Sequence, residues 1–153
     1  MFKIYSWVPF FIIAIDQMTK RAASKWGADN FVEWTSFLQG KTVWNKGISF
    51  GMLSDAYYNI MVYSLVWIGI LLVILAWIKS KNKLDTIGWG LVVGGGVSNL
   101  WDRWIFGAVL DFISFHLNDW YFPIFNVADI AISIGAIILM RSLLSIKSKK
   151  SKE

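Results

Sequence analysis

Residues 60–78 read IMVYSLVWIGILLVILAWI, 19 positions without a charge. At 1.5 Å of rise per residue such a helix covers about 28 Å, close to the hydrocarbon thickness of a bilayer. A helix apolar on every face has no use for water. Working outward, three more apolar runs of similar length appear, at 2–23, 84–101 and 123–140. The whole chain of 153 residues is 56% hydrophobic with a mean hydropathy of +0.52, well above the soluble range. These runs predict an all-α membrane protein of four transmembrane helices, forming one integral membrane domain over 1–153. Pro123 is expected at the first position of the fourth helix, where its missing N–H costs nothing. No small-residue cleavage site precedes the charged Asp16 to Arg21 stretch, so the first run reads as a span and not as a signal peptide.

The net charge of +5 is distributed unevenly. Lysines bunch at 79–83 and 147–152, beside apolar runs, which points to membrane topology and away from nucleic acid. Four spans put both termini and the 79–83 turn on one side. That side carries Lys3, Lys79, Lys81, Lys83, Arg141, Lys147, Lys149, Lys150 and Lys152, nine of the 15 cationic residues, and is expected to be cytoplasmic. Lys20, Arg21, Lys25, Lys41, Lys46 and Arg103 are left for the outer side or its boundary.

The outer side receives the loop 24–59 and a shorter one, 104–122. Trp26, Trp34, Trp44, Trp101, Trp104 and Trp120 suit an interfacial belt. Phe31 to Trp34 and Lys41 to Trp44 have the aromatic and β-branched content of short strands, separated by Gly40, so a small extracytoplasmic β-element on the membrane is expected. Gly90, Gly94 and Ser98 recur every four residues and predict close helix packing. Gly94 to Gly96 lack the lysine and the soluble strand–helix context of a phosphate loop.

Polar residues within the spans share one depth. Asp16, Asn99, Asp102, Arg103, Asn126 and Asp129 all fall toward the outer ends of their runs. A buried Asp is disfavoured by roughly 2.5 to 3.5 kcal/mol near a span's centre, so such residues face the bundle interior and have partners. Asn99 shares a helical face with Asp102 and Arg103, and Asn126 with Asp129. Asp102, beside Arg103 and Asn99, reads as a structural carboxylate. Between the last two spans, Val109-Leu110-Asp111-Phe112-Ile113 alternates, which is odd for a solvated loop. It predicts an interfacial segment that presents Asp111 toward the helices, where it could meet Asp129.

Cysteine is absent, which excludes disulfides, thiolate metal sites and a cysteine nucleophile. The single histidine, His116, reads as a headgroup or structural contact, and Ser98 and Ser49 lack an evident base. Two carboxylates sharing a proton can activate water and protonate a leaving amine without metal or cofactor, and they titrate as a unit. A small proton-coupled transporter would also use intramembrane acids. It should, however, carry them along a path, and the inner halves of the second to fourth runs are uncharged. A non-catalytic assembly or lipid-binding protein would explain the glycine face but not the acids.

At these residues the chain resembles the lipoprotein signal peptidases. Asp16-Gln17-Met18-Thr19-Lys20 is similar to that family's Asp-Gln-x-Thr/Ser-Lys, and Asn45-Lys46-Gly47-Ile48-Ser49-Phe50-Gly51 to its Asn-x-Gly-x-x-Phe/Trp-Gly. Gly95 to Arg103, Val109 to Ile113 and Phe125 to Asp129 resemble three further blocks, in the family's order. The resemblance implies an aspartyl endopeptidase of the bacterial inner membrane with its site near the outer leaflet. Its substrates would be diacylglyceryl-modified prolipoproteins, cut before the lipidated cysteine. It also implies Asp111 and Asp129 as catalytic residues, with Asp16, Asn45, Gly47, Asn99, Arg103 and Asn126 supporting them or binding substrate. No cofactor or metal is implied, membrane lipids are the surroundings, and a monomer is expected. Gly47 and Gly51 suit a movable outer loop. Ser98 and Ile48 depart from the family pattern, which usually has Gly and a small residue there.

Overall fold

The computed structural model describes residues 4–26, 31–46, 56–80, 82–118 and 120–150, with α2 side chains described from Trp67 on. The readings of Gly47, Ile48, Ser49 and Gly51 fall outside this set. A 3-10 turn over Ile4–Trp7 leads into α1, Val8–Ala23, followed by strands β1, Phe31–Thr35, and β2, Leu38–Asn45. Helices α2, Ala56–Lys79, and α3, Lys83–Phe106, come next. Then β3, Val109–Leu117, and β4, Trp120–Tyr121, precede α4, Val127–Lys150.

Packing inverts the usual rule for water. The buried set is rich in polar residues (Asp16, Lys20, Ser98, Asn99, Asp102, Asp111, Asn126), while Phe11, Met18, Leu72, Ile137 and Leu143 point outward. Such a distribution suits lipid around the helices and polar pairing within. Among the described residues only Val127–Leu144 is apolar enough over 18 residues to pass a hydropathy test alone, with a mean of 2.0. Helix α1, with 16 residues, is too short for such a window, and in α3 the glycines that let neighbouring helices approach lower the average.

Small residues set the spacing. Gly90 and Gly94 face Val8, Pro9 and Ile12 of α1, and Ser98 continues that stripe to Asp16. A quarter-turn away, Gly95 lies against the Ala128 carbonyl and Ile132 of α4. The four-residue spacing thus faces α1, and close backbone approach is its consequence.

Several boundaries differ from the sequence reading. Pro123 does not start α4. Residues 123–126 run extended, because Phe125 exchanges backbone hydrogen bonds with Ile113 (3.0 and 2.8 Å), and the helix begins only at Val127. Helix α3 runs a turn past residue 101, so Asp102 and Arg103 lie inside it. Gly107, at φ 69°, ends it, and its N–H donates to the Arg103 carbonyl at 3.0 Å.

The β-element is larger than expected: a four-stranded antiparallel sheet in the order β1-β2-β3-β4 accompanies the helices. Gly40 does not separate strands. It lies within β2, paired with Val32 and Ile113, and the Trp26 ring occupies the space a side chain there would need. Trp26 accordingly packs edge-on to Trp34 and Phe112.

Candidate active site

Strand β3 carries Asp111 between β2 on one edge and Phe125 on the other. Asp111 pairs opposite Val43, and Asn45, two residues along β2, reaches the same face. Asn45 Nδ2 donates to Asp111 Oδ2 at 3.0 Å, and Asn126 Nδ2 donates to Oδ1 at 2.6 Å. Asp111 is 3% exposed. Burial raises its pKa from 3.8 to about 6; the Asn45 and Asn126 hydrogen bonds and Lys20 oppose the rise, and the Asp129 charge adds to it.

Asp129 is placed by a reciprocal cap. Asn126 is the N-cap of α4. Its Oδ1 accepts the Asp129 N–H at 3.0 Å, and Asp129 Oδ2 accepts the Asn126 N–H at 3.1 Å. Asn99 Nδ2 of α3 donates to the other Asp129 oxygen at 2.9 Å. Asn126 therefore touches both acids, fixed by the helix end on one side and by Asp111 on the other. It is a cap and not a member of the helical face read from the spacing.

Behind this pair lies a second layer anchored on α1. Lys20 Nζ is 2.7 Å from Asp16 Oδ2 and 2.8 Å from Asp102 Oδ2, and it donates to Asn99 Oδ1 at 2.8 Å. Asp16 accepts the Ser98 hydroxyl at 2.7 Å and the Ala128 N–H at 2.8 Å, so α1 also caps the first turn of α4. Gln17 bridges Ser98 and Asp102 at 3.0 and 2.7 Å. The Asp102 carboxylate meets Lys20 and Gln17 of the neighbouring helix.

Lys20, Gln17 and Ser98 were not among the site residues read from the sequence. Lys20 is 4% exposed and turned into the interior network. The available signal was its i,i+4 spacing from Asp16. Arg103 donates to the Asn99 carbonyl at 3.3 Å and lines the site. His116 stacks on Tyr121 with centroids 5.3 Å apart, outside the cavity wall.

Asp111, Asp129, Asn45, Asn99 and Arg103 open onto one cavity of about 550 Å³, walled otherwise by Ile70, Gly96, Phe122, Ile124, Ile130 and Ile134. A buried acid and a half-buried one on the wall of a largely apolar groove, in a bundle whose outside is apolar, define a membrane enzyme. Residues 8–145 match the family model of signal peptidase (SPase) II. The chain is 37% identical over 134 residues to the lipoprotein signal peptidase of Anaplasma marginale, covering 84% of this chain and 77% of that one. It is 40% identical over 135 residues to that of Sulfurihydrogenibium sp., covering 84% and 83%. A solved bacterial membrane enzyme superposes with a TM-score of 0.80 at 26% identity, covering 95% of this chain and 90% of that one. The chain belongs to the signal peptidase II family.

Proposed function

We propose that this chain is an intramembrane aspartyl endopeptidase that removes signal peptides from diacylglyceryl-modified prolipoproteins, cutting before the lipidated cysteine. Asp111 and Asp129 form the reacting pair. One observation carries the assignment: Asn126 binds both carboxylates, and both open onto one apolar groove. The groove suits an apolar signal helix, and the acids suit a scissile amide at its end.

One carboxylate takes a proton from water as the water oxygen attacks the amide carbon, and the other, protonated, gives its proton to the carbonyl oxygen. The resulting diol collapses as the C–N bond breaks, and the leaving nitrogen takes a proton from the pair. Burial, with the neighbouring Asp129 charge, favours a proton on Asp111, and the pair titrates as a unit.

In this reading the four helices span the membrane as one domain, with both termini cytoplasmic and the sheet on the outer face of the bacterial inner membrane. The lysines around α2, α3 and the end of α4 support that orientation. The working unit is a monomer, with substrate and lipid as its partners.

Purified protein, cleaving a lipid-modified precursor, tests the assignment. Asp111→Asn and Asp129→Asn are each expected to lose activity by about 10³-fold or more. Undiminished cleavage by either variant would falsify the pair, and turnover of a precursor without lipid would contradict the specificity.

A further inference from the structure

Three of the polar side chains around the acids, Asn45, Asn99 and Asn126, are amides, and an amide works only in one of its two orientations. Asp129 Oδ1 can only accept, so Asn99 must turn its NH₂ toward it, at 2.9 Å. The Asn99 oxygen then points back toward α1, where the Lys20 ammonium, a pure donor, meets it at 2.8 Å. Asn126 Nδ2 also reaches that oxygen, at 3.2 Å, a longer contact between neutral groups. Rotation of Asn99 by half a turn would set NH₂ against the ammonium and oxygen against the carboxylate, so the ammonium forbids it. Lys20 is itself held by ion pairs to Asp16 and Asp102, at 2.7 and 2.8 Å.

Resting on the aspartyl peptidase reading, we infer that Lys20 is a positioning residue for the reaction: it locks Asn99 with its amide donor on Asp129, linking α1 to the geometry of the acid pair. Lys20 does not touch substrate. Its charge also reaches Asp111, whose surroundings are Asn45 from β2, Asn126, Asp129 from α4 and Arg103 at the cavity wall. Removing the ammonium therefore has two readable effects. Asn99 loses its fixed orientation, which slows the chemical step, and Asp111 holds its proton to higher pH, which moves the acidic limb of the rate profile upward.

The chain has no cysteine, which permits a chemical test. In Lys20→Cys the introduced thiol is unique, and 2-bromoethylamine alkylates it, forming a C–S bond with loss of bromide and a proton. The product carries an ammonium at lysine's reach. Alkylation is done on the detergent-denatured protein, followed by refolding into bilayers and assay with a diacylglyceryl-modified precursor peptide.

The unalkylated variant is expected to lose about 10-fold or more in kcat with KM within about 3-fold, its acidic limb displaced to higher pH. Alkylation restores both. If Lys20→Cys does not refold, Lys20→Met combined with Asp102→Asn leaves the local net charge unchanged and gives the same kcat loss. An unchanged kcat and acidic limb, or alkylation that recovers thermal stability without rate, overturns the inference. Asp111→Asn in the same assay separates the two levels. Full activity there sinks the peptidase reading itself, whereas an inactive Asp111→Asn beside normal Lys20 variants sinks only the role of Lys20.

Discussion

Asn126 donates its side-chain amide to Asp111 at 2.6 Å while its Oδ1 caps the helix that carries Asp129. One side chain thus both starts α4 and joins the two acids. Asn126→Asp separates these jobs, because a carboxylate keeps the cap acceptor but has no donor for Asp111 and adds a third negative charge. Because Asn126 is fully buried, the added charge should lower the melting temperature as well, with kcat lowered about 100-fold or more. Asn126→Ala should also destabilise by about 1 kcal/mol through the lost cap. Thermal unfolding and steady-state kinetics read the two effects apart.

The Asp111 carboxyl, pushed up to about 6 by burial, makes a signed prediction for stability. The native state keeps its proton from about pH 4 to pH 6 while the unfolded chain releases it, so the native state binds more protons over that window and stability falls as pH rises through it. From 3.8 to about 6 the loss is on the order of 3 kcal/mol. Asp111→Asn removes the buried charge and should melt several degrees above wild type at pH 8, with the gain vanishing near pH 4. Equal melting temperatures at pH 8 would show that the carboxylate bears no such cost.

If Asp111 belongs to the reacting pair, the acidic limb of activity should follow its environment. Asn45 favours the charged form through its 3.0 Å hydrogen bond. Asn45→Ala removes that donor, so Asp111 should protonate at higher pH and the acidic limb of kcat/KM should move up from its wild-type position near 6. A limb that moves down, or stays, contradicts the assignment of that limb to Asp111.

Ser98 stands where the family pattern usually has glycine, and its hydroxyl is integrated: it donates to Asp16 at 2.7 Å and accepts from Gln17 at 3.0 Å. Ser98→Gly leaves Asp16 with Lys20 and the Ala128 N–H but removes a charge-assisted bond. The expected cost is about 1.5 to 3 kcal/mol of stability, seen as a lower melting temperature, with a smaller fall in kcat than any Lys20 variant shows.

How much of this was readable follows from what each residue needs. The α2 run and the alternation at Val109 to Ile113 that presents Asp111 toward the helices were visible, because apolar length and alternation leave local patterns; that this stretch is part of a nine-residue strand of the sheet was not. Lys20 was not, because a lysine ending an apolar run looks the same whether it reaches outward to the interface or inward to two carboxylates. Pro123 misled for the converse reason. It is permitted at a helix start, but the backbone pairing of Phe125 with Ile113, a contact remote in sequence, keeps it extended. Better local evidence lay in Asn126 followed three residues later by Asp129 before an apolar run, a helix-start signature that places the cap where it is found.

Gly95 and Gly96 are neighbours with opposite expectations. A Cβ on Gly95 would fall on the Ala128 carbonyl and within 2.8 Å of Ile132, so α4 must move, and Asp129 with it. On Gly96 the nearest atom is Ile70 Cγ1 at 3.5 Å, an ordinary contact, yet Gly96 forms part of the groove wall. Gly95→Ala should therefore lower the melting temperature and kcat together, costing about 1 to 3 kcal/mol as overpacking does. Gly96→Ala should fold normally and act on KM, since it narrows the groove without shifting the acids. If Gly96→Ala lowers kcat at unchanged KM, the groove beside α2 is not where the signal helix lies.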